Sequence, residues 1–393
     1  DAGEFIFKYT LEVWDIDMPK KLYLKANFGL DQEDIVWAHQ LPPDKGLTTP
    51  EGLQIARQYA HFLAKKYISV HGVPVFRPTF RLRADGISFD IDFTETEKDI
   101  VTFLEGYDLP CYYFPLSRFD LYPDGFIGKG EAFFTPGFNA RFLDYINKVS
   151  AYLESRGYLD RAFVLFVDEP YDVAHYEMLI ESSKLLRRAD IYPRLMVTEQ
   201  PAPQGASFPE LYDYVDIFTT NIRVYTAASE EDLRAGAENN EEWIYSNTSV
   251  YPYPSYSIDK QGIEVRLFVW FAYQHKYKGI FYSSANDWSK TNPYEDPLTF
   301  GPGMGNGCNN MMYPGFMSQQ YTGQDNVDGP LTSIRLELTR DGLEDAQLLY
   351  MLGNGEPVEE ANVLMPNWID FSRDPDEFYI VRNLIADLIM GKV

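Results

Sequence analysis

Two carboxylates stand side by side at Asp168-Glu169, directly after the apolar run Ala162 to Val167 and directly before Pro170. A short continuous apolar run of this kind marks a strand buried on both faces. Within a strand, neighbouring side chains point to opposite faces, but at its end the pleat is lost and both acids can reach one mouth. Ionised carboxylates this close repel, so one of the pair is expected to hold its proton at a raised pKa. Such a pair separates a proton donor from a charged partner. Cleavage of a glycosidic bond needs that division, because the leaving oxygen must be protonated while positive charge develops at the anomeric carbon. An Asp-Glu dipeptide is common by chance, and its place after a buried strand is what gives it weight.

Other apolar runs also end in polar side chains: Glu199-Gln200, Asn221, Asn247 and Asn286-Asp287. In a parallel barrel the C-terminal strand ends form the floor of the active site. Polar residues there can equally end a strand and cap the next helix, and Pro170 and Asp172 fit that reading locally. Capping explains one site well. It explains less well why acids, amides and aromatics recur at the same end. Tyr245 and Trp288 fall at or beyond strand ends and read as lining for a sugar. Trp243 can face either way, and Trp270 lies mid-helix, where core packing is the better reading. Asn247, Asn286 and Asp287 are sugar-hydroxyl partners or caps on even terms.

The elements that must hold these residues alternate. Thr49-Pro50-Glu51 opens a helix, with a Thr cap and Pro in the first turn. A second helix carries Phe142, Tyr145, Ile146, Val149, Tyr152 and Leu153 at helical spacing and closes at Gly157. Strands are expected over Cys111–Leu116, Ala162–Val167, Arg194–Thr198, Val215–Thr220, Trp243–Ser246 and Gly279–Ser283. Helices are expected over Asp172–Arg188, Ile263–Tyr277 and Ser333–Leu352. Phe5 to Met18 alternates apolar and polar and reads as a strand. Repeated β–α units imply a parallel sheet. Their number, with 393 residues, favours a (β/α)8 TIM-type barrel in the α/β class with long βα loops, the alternative being an open doubly wound sheet. The expected division is a strand-like stub over residues 1–25 and a catalytic barrel over residues 26–393.

Composition narrows the partners. The formal charge of −25 argues against nucleic acid, which needs a basic footprint, and against an anionic membrane surface. Two cysteines, Cys111 and Cys308, make no disulfide framework or zinc spacing, and the five histidines form no H-x-x-x-H pair. No metal and no cofactor are expected. No run of apolar residues is long enough to span a membrane. The Gly-rich stretch Gly301 to Gly307 lacks the strand, helix and Lys-Ser/Thr of a phosphate cradle and reads as a wall or lid. The acids and arginines from Arg335 to Asp345 read as an ion-pair network bracing a barrel. The chain begins at Asp1 inside strand-like sequence, as a mature form or an excised fragment would, and the expected location is secreted or periplasmic.

Four stretches carry a resemblance. They are Phe166-Val167-Asp168-Glu169-Pro170; Glu242-Trp243-Ile244-Tyr245; Trp270 through Gly279-Ile280-Phe281-Tyr282 to Asn286-Asp287-Trp288; and Tyr313-Pro314-Gly315 with the signature from Ser333 to Asp345. In this order they resemble the catalytic domain of glycoside hydrolase family 123, the β-N-acetylgalactosaminidases, over roughly the C-terminal two-thirds of the chain. The resemblance implies a bacterial-type glycosidase acting on a glycan or glycoconjugate with retention. In that scheme the substrate's own 2-acetamido oxygen attacks the anomeric carbon. Asp168 would orient the acetamido group, and Glu169 would be the acid/base. Some positions depart from the family pattern. Only a stub precedes the barrel, where the family usually carries a β-sandwich. Asn306 stands where an acid is more usual, and Asp345-Ala346-Gln347 lacks the expected aromatic.

Two other functions fit the same residues. A retaining glycosidase with a protein nucleophile would use Glu169 as acid/base and Glu199 or Asp287 as nucleophile, on sugars without a 2-acetamido group. A degenerate barrel could bind carbohydrate without cleaving it.

Overall fold

A computed structural model of the protein describes residues 6, 8 and 10–392, apart from 44–45, 117, 119–131, 203–206, 227–229, 247–251, 299–303 and 324. Its strands are β1 (Lys25–Gly29), β2 (Ser69–His71), β3 (Thr79–Leu82), β4 (Phe89–Asp92), β5 (Tyr112–Tyr113), β6 (Ala162–Leu165), β7 (Arg194–Val197), β8 (Ile217–Asn221), β9 (Glu241–Tyr245), β10 (Gly279–Tyr282), β11 (Met312–Pro314) and β12 (Pro330–Thr332). Eight of them form one parallel sheet in the order β2-β1-β10-β9-β8-β7-β6-β5. The end strands β2 and β5 lie side by side, where Ser69 Oγ and the Cys111 Sγ just ahead of β5 are 3.3 Å apart. The result is a nearly closed (β/α)8 barrel, as the repeated β–α units imply.

β1 and β2 are absent from the sequence-based assignment, yet β1 is central, parallel to both β10 and β2. Two antiparallel hairpins, β3–β4 and β11–β12, decorate the barrel. The stretch Phe5 to Met18 corrects an expectation: among the described residues it joins no sheet, and Ile6, Leu11 and Val13 are more than four-fifths exposed. Its alternating pattern is met only in part: Trp14 and Ile16 are half-buried against the core, with Arg382 over the Trp14 ring, and the other described apolar side chains stay exposed. β5 is shorter than the expected Cys111–Leu116, although Phe114 N still donates to Phe163 O at 2.7 Å.

The helices start where their caps dictate. Thr49 caps Pro50–Ala64, Thr135 caps Pro136–Ser155, Asp172 caps Val173–Leu186 and Ser333 caps Ile334–Gly353. Each cap side chain accepts a hydrogen bond from a first-turn N–H that would otherwise go unpaired. The helix Gly262–Gln274 is buried on every side from Glu264 to its end, wedged between the barrel and Ile334–Gly353. Gly342 permits that crossing, since a Cβ there would stand 2.9 Å from Val269.

Alternate strand residues fill the barrel. Phe163 and Leu165 of β6, Met196 of β7, Ile217 of β8, Trp243 and Tyr245 of β9 and Phe281 of β10 form an inner cluster. The residues between them pack outward under the helices. At the C-terminal end the interior layer turns polar. Asn27, Phe281, Tyr245 and Asn221 are in register there on neighbouring strands.

Candidate active site

β6 delivers the carboxylate pair. After Leu165 the chain stays fully buried through Phe166 and Val167, then emerges at Asp168 and Glu169. Glu169 has φ of +42°, in the left-handed region that costs a residue with a Cβ. That turn breaks the strand geometry and sends the two side chains apart.

The neighbouring strand fixes the split. Thr198, buried just past β7, donates its hydroxyl to Asp168 Oδ1 at 2.6 Å and accepts the Glu169 N–H at 2.6 Å. Arg118, from the loop after β5, ion-pairs Asp168 Oδ2 at 2.9 Å. Both oxygens of Asp168 are thereby engaged. Glu169 turns to β9, where the Tyr245 hydroxyl donates to its Oε1. Burial first, and then the Glu169 charge, push the Tyr245 phenol well above its ordinary pKa. It therefore stays a neutral donor, itself hydrogen-bonded to Asn221 at the end of β8.

A third acid stands one strand over. Glu199 accepts from the Tyr176 hydroxyl at 2.9 Å and from the Gln200 N–H at 3.0 Å. Burial pushes its carboxyl up to about 7, with the nearby Glu169 charge adding to the shift. Glu199 is thus a carboxyl at this end that holds a proton near neutrality. On the other side of the mouth, His71 ends β2 with its ring stacked 4.7 Å from Phe281, and its Nδ1 lies 2.6 Å from Asn27 Oδ1. Burial, then the Arg118 charge, hold its imidazole down at about 3, so it is neutral.

The structure brings Asp168, Glu169 and Tyr245 together, and the other described candidates make contacts of their own. Trp243 lies inside the barrel, with its indole N–H on Glu241 Oε1 at 2.6 Å, towards the opposite end. Trp288 is fully buried and donates to Asn310 Oδ1 at 3.1 Å and Met312 O at 3.0 Å, tying the loop after β10 to β11. Asn286 is also fully buried and clamps the Asp31 backbone, accepting from its N–H at 2.9 Å and donating to its C=O at 3.0 Å. Asp287 accepts from Ser289 and is raised by burial and then by the Asp31 charge. Asn247 lies outside the described residues. Arg118, Thr198 and His71 were not singled out in the sequence. Thr198 had a usable signal, a hydroxyl ending an apolar run beside Glu199, whereas Arg118 had none.

Among the described residues no group of three or more His, Cys, Asp or Glu side chains is arranged to hold a metal. A cavity of about 530 Å³ opens at the opposite end of the barrel, where Lys25 and Arg194 begin their strands.

The family model for the glycoside hydrolase 123 catalytic domain matches residues 129–352, more than half of the chain and the whole span from Asp168 to Tyr245. The chain belongs to glycoside hydrolase family 123. Its barrel is also similar to the solved structure of a family 123 glycoside hydrolase from Clostridium perfringens, described for glycolipid glycan hydrolysis. That likeness has a TM-score of 0.61 and 12% identity, and it covers 96% of this chain and 71% of the other. At that identity it speaks for the fold. No curated protein matches the chain. As a family 123 domain the protein is a glycosidase whose substrate is a glycan. Asp168, Glu169, Thr198, Glu199 and Tyr245 all fall inside the matched span, while β1, β2 and Arg118 precede it.

Proposed function

We propose that the protein is a retaining β-N-acetylgalactosaminidase in which the 2-acetamido group of the substrate is the nucleophile. The observation that carries this reading is the asymmetry of the adjacent carboxylates. Asp168 is gripped on both oxygens by Thr198 and Arg118, as suits a fixed acceptor for an acetamido N–H. Glu169 is turned away from it and held by a neutral phenol, as suits a group that gives and takes a proton. In the first step the acetamido oxygen attacks the anomeric carbon while Glu169 protonates the departing oxygen. The sugar closes to an oxazolinium ion, whose positive charge lies beside Asp168. In the second step Glu169 takes a proton from water, the water oxygen attacks the anomeric carbon, and the ring opens to the free sugar. Two inversions return the β configuration.

Glu199 suits the role of protein nucleophile poorly. That role needs an ionised carboxylate at the working pH, whereas Glu199 holds its proton up to about 7 and its oxygens are taken by Tyr176 and Gln200.

The test compares matched aryl β-N-acetylgalactosaminide, β-N-acetylglucosaminide and β-galactoside, with the product anomer followed by NMR. An intramolecular nucleophile reaches effective molarities of about 10⁵–10⁸ M, so replacing the acetamido group by a hydroxyl should all but abolish turnover. Comparable rates with and without the acetamido group, or an α product, would defeat the reading. Glu169→Gln should lose about 10²–10⁴-fold in kcat on substrates with poor leaving groups, and less on activated aryl glycosides.

A further inference from the structure

Away from the carboxylate pair, at the end where the strands begin, basic side chains converge. Lys25 opens β1, Arg194 opens β7, Lys278 and Arg161 immediately precede β10 and β6, and Lys21 lies on the segment leading into β1. All five line the 530 Å³ cavity, and Asp160 is the acid in its wall. Behind the wall, Glu241 is shared by Lys25 at 2.6 Å and Arg194 at 2.7 Å, and Asp108 pairs with Arg161 at 2.8 Å. Five cations face three carboxylates, an excess of two positive charges in a chain whose formal charge is −25.

Several donors in this wall are unspent. Lys278 bonds the Tyr23 hydroxyl and no carboxylate, and Lys21 has no ion pair among the described residues. Arg194 Nε is buried without a hydrogen-bond partner. Gln347 is only 4% exposed, spends its Oε1 on the Tyr23 N–H at 2.8 Å, and has no partner for its Nε2 among the described residues. A wall donor that is open to solvent and lacks a protein partner is free to bond a ligand that enters. Helix C-termini also gather at this end and carry partial negative charge. Their effect fades within a turn and does not cancel the cationic side chains that line the cavity.

We propose that this cavity binds the oxyanion of a small phosphate or sulfate ester. Its volume lies in the range of small-molecule sites, and its donors are the charged and amide N–H groups that recognise oxyanions. Tyr23, stacked on Tyr350 at 4.2 Å between ring centroids, offers the carbon part of such an ester a flat wall.

The test is calorimetry on the full chain with inorganic phosphate, inorganic sulfate and phenyl phosphate, at matched ionic strength. Saturable one-to-one binding is expected, weakening as salt is added. Phenyl phosphate should bind tighter than inorganic phosphate, through the tyrosine wall. A phosphate preference over sulfate would identify the source as a phosphate ester, and the reverse preference a sulfate ester. Lys278→Met should weaken binding by about tenfold, the effect of losing one charge-assisted bond, and Lys278→Arg should restore it. A melting curve for each variant separates loss of binding from loss of fold. Absence of saturable binding of all three probes up to about 10 mM, or unchanged affinity in a folded Lys278→Met protein, would overturn the proposal.

Discussion

Thr198 uses its one hydroxyl in both hydrogen-bonding senses, as donor to Asp168 and acceptor from the Glu169 backbone. It sets the relation between the carboxylates without needing to touch the sugar. Thr198→Val keeps the shape and strands the Glu169 N–H, a loss of about 1–3 kcal/mol. We expect kcat to fall about tenfold or more with KM little changed, and Thr198→Ser to recover most of it; a valine variant with full kcat would remove Thr198 from the machinery. Glu199 gives a pH signature. Its folded pKa, about 7, lies above its ordinary 4.5, so the unfolded chain releases that proton first as pH rises. Its contribution to stability is present below 4.5 and is lost as pH climbs through 7. Glu199→Gln should therefore melt progressively higher than the parent between those pH values, and parallel melting profiles would contradict the assignment. Asp168, Glu169 and Tyr245 were legible in the sequence because each ends an apolar run. Trp243 and Trp288 carry the same local signature and lie in the core, since a short stretch does not encode which side of a wall an aromatic occupies. Arg118 reaches Asp168 from 50 residues upstream, a pairing that no spacing rule predicts.

Between elements, the contact of β9 with β10 shows how closely the barrel wall is built. Trp243 lies across the neighbouring strand in the space that a side chain at residue 279 would take. A Cβ on Gly279 would sit 2.4 Å from the indole. Gly279→Ala should destabilise by about 1–3 kcal/mol through overpacking, measured by chemical denaturation. An alanine variant as stable as the parent would mean that the indole can shift freely. The same strands explain which elements the sequence displayed. β6 and β10 are wholly buried and read as apolar runs, while β8 is equally buried although it ends Thr-Thr-Asn. β1 reads KANFG, and its Lys, Asn and Gly disguise a strand whose Asn27 faces a polar barrel interior. β2 has three residues, too few for any period to register.

At the scale of the whole molecule, Asp345 joins three helices. It is fully buried, takes two bonds from Arg266 at 2.6 and 2.9 Å and one from Arg382 at 2.6 Å, and so ties Ile334–Gly353 to Gly262–Gln274 and Pro375–Ile389. The network that the sequence suggested for this stretch is there in part. Arg340 pairs with Glu337 and Asp341 within it. Arg335 spends its guanidinium on the backbone carbonyls of Tyr256, Gly307 and Asn310, and Asp345 takes its arginines from other helices. Removing the acid leaves a buried arginine unpaired, and Asp345→Asn should cost about 3–5 kcal/mol. Equilibrium unfolding would measure it, and a change under 1 kcal/mol, within what an exposed pair contributes, would show that the arginines find other partners.

The closure of the barrel also bears on how the chain is made. β1 pairs with β10, and Asn286 clamps the backbone of Asp31 from 255 residues away. A ribosome adding about 5–20 residues per second needs on the order of tens of seconds to cover that distance. Throughout that interval β1 has β2 on one side and a bare edge on the other, and bare edges invite pairing with other chains. The seams of β10 with β1 and β9 are thus sealed only once β10 has been made, and until then the edge of β1 stays open to pairing with a neighbouring chain.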